Sequence, residues 1–244
     1  MILRKLADAI RTQNWFTVFI EFTLVVAGVL VALQFDNWNS ERQNRAEERR
    51  LASQLLGELT STIENKTRWI AQTEAQRTDL ENAIHVIQQT GFDASLSKAQ
   101  CDAAWSSHII SIGVSHIATL DEILSTGGIR TLKDENLRAA LLAFSNEKKA
   151  AATRLAFIRA DFVNLIDAHA EAFPRTFIEV SPSAPGIVAI DTEVICDLSL
   201  IRANQTIRNE LISNLGRTTG VLITARSEVA SMENLKTRLS EVSP

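Results

Sequence analysis

Apolar residues dominate the run FTVFIEFTLVVAGVLVALQF near the start of the chain, between Trp15 and Trp38. A helix over residues 15–35 is about 30 Å long, which is the thickness of the hydrocarbon core of a bilayer. No other segment of the sequence is both long and apolar enough to do the same. The pattern therefore predicts a single transmembrane helix over residues 15–35.

Beyond the span, apolar residues recur at alternating spacings of four and three, which is typical of helices that pack along one face. Residues 41–90 show this spacing first, at Ala52, Leu56, Leu59, Ile63, Ile70, Leu80, Ile84 and Ile87. Asp134 is a suitable N-cap for a second long helix. The spacing predicts long helices over about 41–90, 134–173 and 204–242, and shorter helices over about 96–110 and 118–126.

Three of the four prolines of the chain lie close together, at Pro174, Pro182 and Pro185, and Gly186 follows them. Because proline ends helices, we expect a loop over about 174–198, in or beside which IVAI and EVI are candidates for short extended pieces. The expected fold class is all-α. It consists of a transmembrane helix that continues into an extracytoplasmic bundle of about three long and two short helices.

The composition supports helices and narrows the range of partners. Glycine and proline are scarce and tyrosine is absent, which suits long helices better than sheets. The formal net charge of -4 argues against nucleic acid as a partner, because nucleic-acid-binding domains usually carry a basic face. The expected partners are the lipid bilayer, a second copy of the chain and a further protein whose identity the sequence does not give.

A cleaved signal peptide is the alternative explanation of the apolar run. The apolar core of a signal peptide is usually about 7–15 residues long and precedes small residues at a cleavage site. Here the run is longer, and VLVALQFDNW contains no such site. We therefore expect the helix to be retained as a membrane anchor.

The orientation of the span is predicted from the residues that flank it. Basic residues occur on both sides, at Arg4, Lys5, Arg11, Arg42, Arg45, Arg49 and Arg50. Their even distribution leaves the positive-inside rule undecided. The positions directly after the span carry no cation as far as Glu41. This favours residues 1–14 as a cytoplasmic tail and residues 36–244 as a periplasmic domain at the bacterial inner membrane.

Cys101 and Cys196 are the two cysteines of the chain. An even number of cysteines is expected where one disulfide forms in an oxidising compartment. The alternative is a pair of separate buried thiols that behave as small hydrophobic side chains. We expect the disulfide if the domain is periplasmic.

Three residues inside the span have chemistry beyond apolar anchoring. Glu21 places a carboxyl group at membrane depth, where ionisable groups are costly and often functional. It either contacts a partner helix or reaches for headgroup water near the cytoplasmic interface. Gly28 and Ala32 form a small-xxx-small pair, which lets two membrane helices approach closely, and they predict self-association of the span.

No sequence pattern typical of catalysis, cofactor binding or metal binding is present. The sequence lacks H-E-x-x-H, paired C-x-x-C, G-x-S-x-G, the P-loop and the glycine-rich dinucleotide motif. The histidines are not at metal-ligand spacing: His85, His108, His116 and His169. We therefore expect no catalytic, cofactor-binding or metal-binding residues, and no enzyme activity.

The segment EFTLVVAGVLVALQFDNWNSER resembles the N-terminal signature of an uncharacterised family of bacterial single-pass inner-membrane proteins. In that family the segment runs E-x-x-L-V-V-x-G-x-L-x-A-L-Q-x-x-N-W-N. The matching residues are Glu21, Leu24, Val25, Val26, Gly28, Leu30, Ala32, Leu33, Gln34, Asn37, Trp38 and Asn39. The family usually has an acidic residue at the position of Ser40. In this chain the acidic residue comes one position later, as Glu41.

A second segment, Thr119–Phe144, is similar to a D-E-L-x-x-S-G-x-L-x-x-I-x-D-x-x-L-R element of helical extracytoplasmic domains of the same kind. The resemblance implies membrane location and topology, and it implies no activity. It also implies roles in helix contact or interface anchoring for a set of span residues. For Glu21 and Gln34 the implied role is helix contact, and for Asn37, Trp38 and Asn39 it is interface anchoring. Trp15, at the start of the span and outside the matching segment, is a further expected interface anchor.

These expectations favour a non-enzymatic, membrane-anchored helical protein that binds a partner or organises an assembly on the periplasmic side. One alternative is a ligand-sensing helical bundle that acts through a membrane partner, because the short predicted tail has no room for an output domain. The other alternative is an enzyme with an unrecognised site.

Overall fold

The computed structural model describes residues 15–89, 94–110, 115–130, 132, 134–184 and 187–242. Internal contacts divide the chain into two units, Met1–Ala52 and Ser53–Pro244. The predicted tail over residues 1–14 and the predicted helix end near residues 90 and 91 lie outside the described residues.

The first helix, α1, extends over Trp15–Gln88 and contains 74 residues. It unites the predicted elements at 15–35 and 41–90, because this stretch lacks proline and contains only two glycines. Ion pairs one turn apart support its polar part. In one of them the Nη2 atom of Arg45 lies 3.0 Å from the Oε2 atom of Glu41. The helix is therefore uninterrupted where the apolar run gives way to polar sequence.

The second unit contains the C-terminal part of α1, six further α-helices and one β-hairpin among its described residues. These elements are α2 (Lys98–Trp105), α3 (Ala118–Ser125), a 3₁₀ turn (Gly128–Arg130), α4 (Glu135–Ala160), α5 (Leu165–Ala168), β1 (Arg175–Ala184), β2 (Ile187–Val194), α6 (Leu198–Ala203) and α7 (Gln205–Val242). Helix dominates, in agreement with the predicted class, and α1, α4 and α7 are the long helices.

Side-chain caps fix where the later helices begin. The Oδ1 atom of Asp134 accepts hydrogen bonds from the N–H groups of Asn136 and Leu137 at 2.7 and 2.9 Å, as expected of the N-cap of α4. Ser97 and Gln100 form a reciprocal capping box at the start of α2. As a result, α2 begins later than the predicted helix over 96–110, and it also ends earlier.

The long helix predicted over 134–173 is broken in the structure, because α4 ends at Ala160 and α5 begins at Leu165. Between these two helices lies Val163. The side-chain amide of Asn214 on α7 forms hydrogen bonds with both the N–H and the carbonyl group of its backbone. The Val163 N–H donates to the Oδ1 atom at 3.2 Å, and the Nδ2 atom donates to the Val163 carbonyl at 2.9 Å. This tertiary contact replaces helical hydrogen bonds, so that local helix propensity is overridden.

The predicted loop over 174–198 is corrected to an antiparallel hairpin followed by the start of α6. Arg175 pairs with Val194 at its base, and the ladder extends to Ala184 opposite Ile187. The apolar and β-branched residues in both arms favour extended structure over a loop. Of the prolines that suggested a loop, Pro182 lies within β1, which is an edge strand of the two-stranded sheet, where proline is tolerated.

Buried apolar residues form the core of the second unit. One cluster comprises Leu80, Ala83, Ile84, Ile87, Ala103, Ala104, Leu165, Ile166, Ala172, Phe173, Val194, Ile201, Ile207 and Leu211. Further buried residues include Leu120, Ile123, Leu137, Leu141, Phe144, Met232, Leu235 and Leu239. On α1 the predicted Leu59 and Ile63 are buried, whereas Leu55 takes the buried position expected for Leu56.

Candidate functional site

The apolar part of α1 is exposed along its length. Among the described residues, α1 is the one helix long and apolar enough to span a membrane. The apolar part of this helix is not buried by the rest of the described structure. Phe19, Phe22 and Leu24 are largely exposed. Because soluble proteins rarely leave so large an apolar patch in water, this surface fits a lipid or protein environment.

One side of this part of α1 combines a carboxyl group with small residues. Glu21 precedes Gly28 by two helical turns, so both lie on the side that also carries Ala32. A Cβ atom built at Gly28 meets no atom within 4 Å. A shallow depression of about 510 Å³ lies along Gly28, Ala32 and Asn39. The Gly28 backbone is therefore accessible to another helix.

The polar end of the apolar segment carries Gln34, Asn37, Trp38 and Asn39, all of them exposed. The rings of Phe35 and Trp38 pack with their centroids 5.7 Å apart. Gln34 lies on a different side of α1 from Gly28, because six residues correspond to one and two-thirds turns. The predicted membrane-helix contacts therefore do not share one face. The side chain of Trp15 lies outside the described residues.

A disulfide joins Cys101 on α2 to Cys196 directly after the hairpin, with 5.8 Å between the Cα atoms. The two positions are 95 residues apart in the chain. Beside the bridge, the N–H of Ile195 donates to the carbonyl of Pro174 at 3.0 Å. The covalent bond and this hydrogen bond together fix the base of the hairpin.

A buried ion pair lies between α1 and α7. The Nζ atom of Lys66 is 2.8 Å from the Oε2 atom of Glu228, whose side chain is only 1% exposed. The other carboxylate oxygen of Glu228 accepts a hydrogen bond from the backbone N–H of Ser115 at 3.0 Å. The ring of Trp69 lies beside Lys66, with 5.8 Å from Nζ to the ring centroid. The pair thus connects two long helices and the segment before α3.

A second carboxylate holds the start of α3. Ile117, the N-cap of that helix, supplies no side-chain hydrogen bond. Instead, Glu58 on α1 accepts from the Thr119 N–H at 3.0 Å and from the Thr119 hydroxyl at 2.8 Å. A glutamate from α1 therefore replaces the N-cap side chain of α3. It accepts from the Thr119 N–H, a first-turn donor that has no partner within α3.

The histidines do not converge on one site. His169 and Glu210 form a close pair, with 2.6 Å between Nε2 and Oε2. The Nδ1 atom of His108 is buried without a hydrogen-bond partner in the described structure. Burial lowers the pKa of His108 below its ordinary value, and the charge of Arg175 acts in the same direction. Within the described ranges, no group of three or more His, Cys, Asp or Glu side chains is arranged to hold a metal ion.

The sequence pattern pointed to only part of the polar interior. Lys66 falls at a position of the apolar spacing on α1, and Asn214 and Glu228 fall at equivalent positions on α7. A polar residue at such a position is expected to have a buried hydrogen-bond or ion-pair partner. The pattern names no partner, however, so the pairing of Lys66 with Glu228 and the contact of Asn214 with Val163 were missed.

Comparison with known proteins adds no identification. No protein-family model, no curated protein and no solved structure matches the chain.

Proposed function

We propose that the chain is a membrane-anchored helical protein of the bacterial inner membrane, whose helical unit binds a partner or organises an assembly on the periplasmic side. The observation that carries the proposal is the apolar part of α1, which is long enough to span a bilayer and is not buried. Such a surface is stable in lipid and unfavourable in water.

Two features support a cytoplasmic N-terminus and a periplasmic helical unit. The first is the disulfide between Cys101 and Cys196, since disulfides persist in oxidising compartments such as the periplasm. The second is the flank of the span, where Asp36 and Glu41 precede the first cation, Arg42. Cations adjoining a span favour the cytoplasmic side, so their absence here favours the periplasm.

Alkaline phosphatase fused after Pro244 tests this orientation, because its own disulfides form only in an oxidising compartment. We expect an active fusion, whereas a control fusion after Asn14 is expected to be inactive. An inactive fusion after Pro244 in a chain that stays in the membrane fraction would place the helical unit in the cytoplasm.

Membrane insertion is tested by a charge at the centre of the span. Leu30→Lys is expected to weaken insertion, since a lysine at the centre of a membrane helix costs about 3 kcal/mol. The readout is the fraction of chain that resists carbonate extraction. Gln43→Lys, in the polar part of α1, is the matched control and is expected to leave extraction unchanged. Equal release of both variants would contradict the assignment of the span.

We further propose that the span associates with a second copy through the side that carries Gly28 and Ala32. The accessible backbone at Gly28 supports close helix packing, and Glu21 on the same side provides a polar contact. Gly28→Ile is expected to lower the signal in a membrane two-hybrid assay. Val29→Ile, which enlarges a neighbouring apolar residue, is the control, and an unchanged Gly28→Ile signal rules out this contact.

The partner of the helical unit is sought by affinity purification of the full chain in mild detergent. We expect one protein to co-purify reproducibly and in stoichiometric amount. Thermal stabilisation by a member of a small-molecule panel, without a co-purifying protein, would instead favour the ligand-sensing alternative.

A further inference from the structure

The hairpin formed by β1 and β2 is a two-stranded sheet on its own within the described residues. Its base is fixed by the Cys101–Cys196 disulfide and by Val194, which is buried. Farther along β1, Phe177 and Ile178 are 60% and 57% exposed. A two-stranded hairpin is only marginally stable in water. A hairpin with exposed apolar residues therefore gains stability when another strand pairs with it.

The two edges of this hairpin differ. β1 carries two β-bulges, at Ile178 and Ser183, and between them lies Pro182, which has no N–H to donate. Bulges and prolines are the devices that protect a sheet edge from pairing. β2 has the sequence IVAIDTEV, which contains no proline, no bulge and no lysine or arginine. Away from its base, where α2 contacts it, the edge of β2 therefore lacks the protection that β1 has.

We infer that the hairpin associates with the hairpin of a second copy of the chain, through antiparallel pairing of β2 with β2. This pairing joins the two unprotected edges and leaves only the two protected β1 edges on the outside of a four-stranded sheet. It is isologous and closed, so it ends at two copies. A strand from an unrelated protein would instead bring an outer edge of its own.

The charges along β2 are compatible with this arrangement. When the two-fold axis passes through Ile190, Asp191 falls opposite Ala189 of the second copy, and Glu193 falls opposite Ile187. Two acidic residues directly opposite one another would be destabilising, and this register places no such pair. The apolar Ile190 pairs with itself at the centre of the new ladder.

Cysteine cross-linking of the full chain in its membrane tests the inference. Ile190→Cys is expected to give a covalent dimer on mild oxidation, because the two copies of residue 190 are direct cross-strand neighbours. Thr176→Cys, on β1, is the matched control and is expected to remain monomeric. Equal cross-linking at both positions, its absence at residue 190, or a ladder of higher oligomers would overturn the inference.

Hydrogen exchange of the β2 amides gives an independent readout. Ile190→Lys places two ammonium groups opposite one another and is expected to abolish the protection that β2 gains as concentration rises. Ile178→Lys makes the same charge change on β1 and is expected to retain that protection. Concentration-independent protection in the unmodified chain would contradict the pairing.

The hairpin contact does not depend on membrane insertion or on the span. The Ile190→Cys cross-link is therefore expected to persist in detergent and in a chain that also carries Gly28→Ile. Loss of that cross-link only with Gly28→Ile would assign the association to the span, and would overturn the hairpin inference while supporting the proposed span contact.

Discussion

Lys66 on α1 and Glu228 on α7 face each other at 2.8 Å inside the helical unit, where their side chains are 11% and 1% exposed. A buried ion pair adds little net stability compared with apolar residues, but breaking one leaves a charge without compensation. Glu228 also accepts from the backbone of Ser115. The pair therefore fixes how α1, α7 and the segment before α3 are arranged.

Lys66→Met is expected to lower the free energy of unfolding by about 3–5 kcal/mol, because it leaves the buried Glu228 carboxylate without its cation. The double variant Lys66→Met with Glu228→Gln is expected to recover most of the loss, because an amide at position 228 is neutral and still accepts the hydrogen bond of the Ser115 N–H. Denaturant unfolding of the full chain in detergent measures both.

The matched control for this prediction is Arg226→Ala. It breaks an exposed ion pair, in which the Nη2 atom of Arg226 lies 2.9 Å from Glu74. Such pairs contribute roughly 0–1 kcal/mol. If Lys66→Met costs no more than Arg226→Ala, the Lys66–Glu228 pair is not buried in solution.

Glu58→Ala is expected to destabilise the start of α3 by roughly 0.5–2 kcal/mol, the cost of losing an N-cap. The effect should be local, since Glu58 accepts only from Thr119 in that helix. Faster hydrogen exchange in Ala118–Ser125 is the measurement. Glu64→Ala, at an exposed position on α1, is the control, and equal exchange in both variants would show that Glu58 does not cap α3.

The sequence was sufficient to predict α7 and the start of α4, because the apolar spacing and the caps that define them are local properties. Asp134 illustrates this, since both N–H groups that it accepts from lie within three residues of it. The disulfide between Cys101 and Cys196 was expected from the even number of cysteines, without any knowledge of their geometry.

The break at Val163 could not be predicted, because the group that causes it, the amide of Asn214, is 51 residues away in the chain. The pairing of the hairpin was missed for a related reason, although the expected extended pieces IVAI and EVI fall within β2 or at its end. Pro182 and Pro185 argued for a loop by their local effect, whereas the pairing of the strands depends on cross-strand neighbours. Non-local contacts therefore decided both corrections.

Stability is expected to fall as the pH is lowered through the ordinary pKa of histidine. Burial lowers the pKa of His108 in the folded chain, so the folded state binds this proton less readily than the unfolded state. By linkage, the free energy of unfolding must then depend on pH. The contribution of His108 to this free energy is favourable at pH above 7 and is lost as the pH falls below about 6.5.

Thermal unfolding between pH 8 and pH 5 measures this dependence. His108→Asn is expected to flatten it, whereas His85→Asn, which changes an exposed histidine, is expected to leave it intact. An identical pH dependence in the two variants would assign the effect to other groups.

Loss of the disulfide is expected to destabilise the helical unit substantially. The bridge closes a loop between two positions that are 95 residues apart, and cross-links of that span contribute about 4.7 kcal/mol in the chain-entropy model. Cys101→Ser with Cys196→Ser should lower the free energy of unfolding by that order, measured with denaturant. Because the bridge also holds the base of the hairpin, hydrogen exchange should increase at Val194 more than at Leu235, a buried residue on α7. A reducing agent should reproduce both effects in the unmodified chain and change nothing in the double variant. Equal stability of the chain with and without reductant would show that the two thiols are not bridged.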